Sequence, residues 1–154
     1  MAGSEPLILA LDTATPYASV ALTRGTMEQG SVLATLGLGG SISHSRKLLG
    51  GVEYLMEKSQ IDWMDLDGIG VSLGPGSFTG LRIGMATAKG LAVGAECPLL
   101  GVSTLDGLAA RCMGTKLVCS LLDARKKEVY YGFYRIDGYG IYRCQGPISV
   151  GTRE

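Results

Sequence analysis

The sequence predicts a mixed α/β fold in which three antiparallel strands come first and later strands alternate with helices. Three observations support it: three strand patterns in close succession near the N-terminus, two later apolar strand patterns, and two longer segments of helical periodicity. Together they indicate a mixed five-stranded sheet with helices packed against it.

The strands of this sheet are expected in short apolar or alternating runs. The first three lie at Pro6–Leu11, Tyr17–Thr23 and Gln29–Leu36, and their short connections favour an antiparallel meander. The fourth and fifth, Ile69–Leu73 and Pro98–Val102, each follow a helical segment.

Two long helices separate these later strands. Ser43 is a residue type preferred at the N-cap of the first helix, and the second is expected at about Thr79–Ala95. A short third helix is expected from Ser103 or Thr104 to Arg111. One face of the first helix carries its apolar residues: Leu48, Leu49, Val52, Leu55 and Met56.

A second set of strands follows, at Lys116–Asp123 and Glu128–Ile136. Both sets begin with an apolar strand that ends in aspartate, Asp12 in the first and Asp123 in the second. We therefore expect an N-terminal domain at residues 1–103 and, at residues 104–154, the start of an incomplete second domain of the same type.

The charge balance argues against unaided binding to nucleic acid. The chain of 154 residues has 14 lysines and arginines and 14 aspartates and glutamates, whereas RNA-binding domains usually carry a basic excess. The sequence also lacks a basic, apolar leader and a run long enough to span a membrane. These features predict a cytoplasmic protein without a membrane partner.

The segment Gly74–Gly84 (GPGSFTGLRIG) lies between the fourth strand and the second helix, where glycine-rich loops often hold phosphate. The phosphate-loop motif requires Gly-x4-Gly-Lys-Ser/Thr, but Leu81 and Arg82 follow Gly80 and the first spacing is one residue too long. The dinucleotide motif GxGxxG also fails, since the spacing is GxGxxxG. A standard nucleotide site of either kind is therefore not expected.

The same segment starts a series of small residues, Gly76, Gly80, Gly84 and Ala88, spaced four apart. Residues four apart share one face of a helix, and a face without side chains permits close packing. The series could pack on the protein's own sheet, form a helix–helix subunit interface, or bind an anion. The adjacent glycines Gly50 and Gly51 inside the first helix favour an interface made by both helices.

Two further positions could carry chemistry. His44 is the only histidine, and Leu48 stands where a His-x3-His metal pair would place its second imidazole, so no metal site is expected there. Asp12 and Thr13 end the first strand, where a carboxylate could hold a metal ion or phosphate-bound water. Ordinary turn hydrogen bonding is the other interpretation of these two residues.

Several of these segments together resemble the TsaB (YeaZ) family. The resemblance is carried by LALDTATPYASVAL at Leu9–Leu22, GPGSFTGLRIGMATAKGLA at Gly74–Ala92, PLLGVSTLDGLA at Pro98–Ala109 and LLDARKKEVYYGFY at Leu121–Tyr134. It covers nearly the whole chain. It implies an actin-like, ribonuclease H-like fold of two related domains, in a family whose members are longer than this chain.

The resemblance also implies a function. TsaB proteins pair with the catalytic subunit TsaD and the ATPase TsaE, which together place a threonylcarbamoyl group on adenosine 37 of tRNA. On this basis the chain is expected to be a noncatalytic scaffold that pairs with a TsaD-like subunit, forms a homodimer in its absence, and meets tRNA only through the complex. ATP and a divalent metal are used by the complex, and none is expected to be bound tightly by this chain.

In the family, the two helices after the third strand form the bundle with the partner, which places the expected interface on both long helices. An alternative is a free-standing actin-like ATPase or phosphotransferase that uses Asp12 with a metal. The expected interface residues are His44, Leu48, Gly51, Leu55, Gly76, Phe78, Gly80, Arg82, Gly84 and Ala88.

Overall fold

A computed structural model describes residues 5–26, 29–39, 45–112, 116–138 and 141–152. The chain divides into two compact units, the first formed by Met1–Leu73 with Ser77–Gly101 and the second by Gly74–Gly76 with Val102–Glu154. Among the helices of the described ranges, none is long and apolar enough to cross a membrane.

The first unit contains a five-stranded mixed sheet in the order β3-β2-β1-β4-β5. β1 pairs antiparallel with β2 and parallel with β4, and β2 pairs antiparallel with β3. This confirms the predicted α/β class and the antiparallel start. The strands are β1 (Leu7–Asp12), β2 (Ala18–Arg24), β3 (Ser31–Leu38), β4 (Gly68–Gly74) and β5 (Leu99–Ser103).

Two helices cover this sheet. α1 (Ser45–Ser59) packs on β2, β3 and α2, whereas α2 (Phe78–Gly94) packs on β1. Most of the apolar face predicted for α1 lies in the core, with Leu48, Val52, Leu55 and Met56 buried, but Leu49 is 39% exposed. Ser43, the expected N-cap, lies outside the described residues.

The second unit is a smaller sheet beside one short helix. β6 (Leu117–Arg125) and β7 (Glu128–Ile136) form an antiparallel hairpin, and β7 also pairs with β8 (Tyr142–Cys144) and β9 (Ser149–Thr152). α3 (Thr104–Ala110) contacts β6, β7 and β8.

Tyr134 is the largest fully buried side chain of the second unit, with 0% of its surface exposed. It packs with Leu105 and Ala109 of α3, and its hydroxyl donates a hydrogen bond to Asp106 Oδ1 over 2.7 Å. Burial raises the pKa of Tyr134 above its usual range, and the hydrogen bond and negative charge of Asp106 add to this shift.

This shift predicts a pH-dependent stability. The folded protein keeps the Tyr134 proton at pH values where an unfolded tyrosine, with a pKa of about 10, has lost it. The stabilisation is therefore complete below about pH 10 and is lost as the pH rises above that value. Urea unfolding of the wild type should show this decline, and Tyr134→Phe should show a shallower one. Identical slopes in the two proteins would contradict the assignment.

Candidate functional site

The segment Gly74–Gly84 joins β4 to α2 and docks the start of the helix on the end of β1. The Ser77 N–H donates to the Ala14 carbonyl over 2.7 Å. The Ser77 hydroxyl caps α2 by accepting the N–H of Gly80 at 3.3 Å. Gly74 has a φ of +107°, a left-handed conformation that favours glycine. The motif therefore encodes a tight turn and a capped helix.

The glycines of α2 permit an unusually close approach to Thr13, the residue after β1. A Cβ atom placed on Gly80 would lie 2.1 Å from the Thr13 carbonyl oxygen, and one placed on Gly84 would lie 2.1 Å from Thr13 Oγ1. No side chain fits at either distance. Ala88 and Ala92 continue the same buried face along the helix.

This geometry gives several residues of the predicted interface a packing role inside their own domain, while the interface itself stays a prediction. Gly80, Gly84 and Ala88 are buried inside their own domain, so they do not present an open face to a partner. Leu48 and Leu55 of α1 are also buried, and a Cβ atom on Gly51 would lie 3.0 Å from the Leu38 side chain. The reason is that each helix turns its smallest or most apolar face toward its own sheet.

The remaining predicted interface residues lie elsewhere. Phe78 is 74% exposed at the start of α2, Arg82 is exposed one turn later, and Gly76 is half-buried. The Arg82 guanidinium carbon lies 5.4 Å from the centre of the Phe78 ring. His44 lies outside the described residues.

Asp12 makes a contact typical of a turn, whereas Thr13 contacts a residue of β4. Asp12 Oδ1 accepts the Ala14 N–H at 2.9 Å, while the Thr13 N–H donates to Ser72 Oγ at 3.4 Å. Thr13 is fully buried, and its Oγ1 has no hydrogen-bond partner in the described structure.

A divalent cation needs several oxygen ligands, about six or more for Ca²⁺ or Mg²⁺. The described residues contain no cluster of three or more histidines, cysteines or acids that could supply them. A site made of three or more protein ligands is therefore not found among them, but Mg²⁺ can also bind through one carboxylate together with water and phosphate, so a role for Asp12 in metal binding stays a prediction. A role for Asp12 in binding phosphate stays a prediction.

The outward surface of the helices carries an open groove, here called the outer groove. Its two adjoining sections have volumes of about 320 and 410 Å³ and share Ala86 and Thr87. One section is completed by Arg46, Leu49, Gly90 and Leu91, the other by Phe78, Thr79, Arg82 and Ile83.

Sequence reasoning missed most of the outer groove. Its signal was a second four-residue series on α2, Phe78, Arg82, Ala86 and Gly90, parallel to the buried one. Gly50 and Gly90 are also informative, because a Cβ atom on either would meet nothing within 4 Å. Each is exposed inside a helix, where glycine costs about 1 kcal/mol relative to alanine.

Comparisons with known proteins agree with this architecture. Residues 40–147 match the family model described as TsaD, tRNA N6-adenosine threonylcarbamoyltransferase. The chain is 41% identical over 146 residues to the tRNA threonylcarbamoyladenosine biosynthesis protein TsaB of Escherichia coli, covering 93% of this chain and 61% of that protein. The TsaB protein of Bacillus subtilis is 36% identical over 129 residues, covering 83% of this chain and 55% of the relative.

Solved structures show the same relationship. YeaZ from Pseudomonas aeruginosa superposes with a TM-score of 0.80 at 34% identity, covering 94% of this chain and 67% of that one. A PPX-GPPA enzyme from Aquifex aeolicus shares the fold alone, with a TM-score of 0.53 at 8% identity, covering 96% of this chain and 52% of that one.

Sheet order and structural neighbours define an α/β protein of the ribonuclease H-like, actin-like fold. The chain belongs to the TsaB (YeaZ) family. It spans about three fifths of the length of the Escherichia coli relative.

Substitution by alanine should have opposite effects on stability at a closely packed helix glycine and at an exposed one. Gly80→Ala should lower the free energy of unfolding by about 1–3 kcal/mol, because the new methyl group meets a backbone oxygen that cannot rotate away. Gly90→Ala should raise it by about 0.5–1 kcal/mol, because the helix gains stability and nothing is displaced. Urea unfolding midpoints of both variants measure this difference, and a stable Gly80→Ala variant would contradict the close contact.

Proposed function

We propose that this chain is a noncatalytic subunit in the biosynthesis of threonylcarbamoyladenosine on tRNA. In this role it binds a TsaD-like catalytic subunit, in a complex that includes a TsaE-like ATPase and uses ATP and a divalent metal. The relatives named TsaB support the pathway. Without its partner the chain pairs with itself, and it meets tRNA only through the complex.

The location proposed for the partner surface rests on one observation. The outer groove exposes Phe78 and Leu49, which are 74% and 39% accessible, beside the open helix glycines Gly50 and Gly90. Aromatic residues are enriched in protein interfaces, and Phe78 lies in the same groove as the exposed Leu49. A partner packed against the glycines would account for helix positions that their own domain does not explain.

The noncatalytic role rests on the family resemblance. Among the described residues, the Asp12 side chain accepts the turn hydrogen bond from the Ala14 N–H, and no group of three or more histidines, cysteines or acids is found. The equal numbers of basic and acidic residues agree with a chain that does not bind tRNA unaided.

A pair of matched variants tests the partner surface. Gly90→Leu fills the outer groove, whereas Gly107→Leu makes the same change at an open helix position of the second unit. We expect Gly90→Leu to weaken binding to the TsaD-family subunit of the same organism at least about tenfold, a loss of about 1.4 kcal/mol. Gly107→Leu should bind as the wild type does.

Titration calorimetry with purified proteins gives the two affinities, and unfolding midpoints confirm that both variants fold. Equal affinities for Gly90→Leu and the wild type would overturn this placement of the interface. Threonylcarbamoyl transfer to tRNA should require the TsaD-family subunit. Transfer by the isolated chain would contradict the noncatalytic role.

A further inference from the structure

Each of the two sections of the outer groove is lined by one arginine. Arg46 of α1 lines one section and Arg82 of α2 lines the other, and the two sections meet at Ala86 and Thr87. The lining between the arginines is mainly aliphatic, as Leu49 and Ile83 illustrate. A ligand in the groove therefore meets a largely apolar lining with one arginine in each section.

Arg82 is preorganised and lacks a carboxylate partner among the described residues. Its guanidinium lies 5.4 Å from the centre of the exposed Phe78 ring. A guanidinium that stacks on an aromatic face keeps its N–H donors in the plane, available to a carboxylate. Holding the group in this way reduces the side-chain freedom that is lost on binding.

Neither arginine forms an ion pair with another described residue, although α1 itself carries Glu53 and Glu57. The segment Phe78–Gly94 contains Arg82 and Lys89 but no aspartate or glutamate. Within the described ranges, the one ion pair joins Arg143 to Asp137, in the second unit. Among the described residues, Arg46 and Arg82 thus have no ion-pair partner.

Given the proposed function, we infer that the partner subunit presents two carboxylate groups to Arg46 and Arg82, on either side of an apolar ridge that fills the outer groove. Arginine pairs with carboxylate through two parallel hydrogen bonds, which fixes orientation as well as adding affinity. The two pairs set the register of the partner along α2, while the apolar ridge supplies buried area.

A protein surface fits these features better than a nucleic acid does. Backbone recognition of RNA relies on many cations that neutralise successive phosphates. Here two arginines flank an aliphatic lining, in a chain whose basic and acidic residues are equal in number, 14 each. Acidic side chains around an apolar ridge match that pattern.

Charge reversal tests the inference. Arg46→Glu and Arg82→Glu should each weaken binding to the TsaD-family subunit at least about tenfold, because each places like charges together. Lys89→Glu is the matched control, since it makes the same charge change at an exposed site of α2 outside the groove lining. Affinity is measured by calorimetry at two salt concentrations, and unfolding midpoints verify folding.

The outcomes separate the inference from the proposed function. Absence of any complex with the wild type would refute the proposed function. If the wild type forms the complex but neither reversal lowers the affinity more than Lys89→Glu does, the inference is overturned and the proposed function is not. The inference would also be overturned if the reversals disrupted only the homodimer. It would be overturned as well if the wild type bound tRNA in the absence of the TsaD-family subunit and Arg82→Glu abolished that binding.

Two further results would support the inference. The wild-type affinity should fall as salt rises, and the double reversal should lose this dependence. Arg82→Lys should bind less tightly than the wild type and more tightly than Arg82→Glu, because lysine keeps the charge and loses the paired donors.

Discussion

The contact between Thr13 and α2 determines how the first domain is assembled. Gly80 and Gly84 let the helix approach until any added side chain would overlap the Thr13 backbone or hydroxyl. Because both contacts lie on one face, they fix the helix in rotation as well as in distance. Ala88 and Ala92 extend this face, and the opposite face of α2, with Phe78 and Arg82, is left on the surface.

The pattern of residues predicted the fold better than it predicted the site. β7 was expected at Glu128–Ile136 and occurs there, and the other main strands and helices lie close to their expected ranges. Three short elements were given no range from the sequence, a 3-10 turn at Trp63–Asp65 and the strands β8 and β9. The turn depends on a reciprocal cap between Asp62 and Asp65, and the strands depend on pairing with β7, so local composition signals them weakly.

The orientation of α2 could not be derived from its sequence because small residues at four-residue spacing suit an internal contact and a subunit contact equally well. The choice depends on Thr13, which is distant in sequence and meets the helix only after β1 has formed. Once that contact is known, the helix glycines separate into two groups. Gly51, Gly80 and Gly84 are explained by close neighbours, whereas Gly50, Gly90 and Gly94 of the same two helices have none. Of these three, Gly90 lines the outer groove, which is the surface proposed for a partner.

Side-chain oxidation footprinting tests most directly whether the outward face of α2 is the partner surface. Phe78 and Tyr17 are exposed to a similar extent, 74% and 70%, and Tyr17 is not part of the outer groove. When the TsaD-family subunit is added, Phe78 should become protected from hydroxyl radicals while Tyr17 reacts as before. Unchanged reactivity of Phe78 in a complex that has formed would contradict the account.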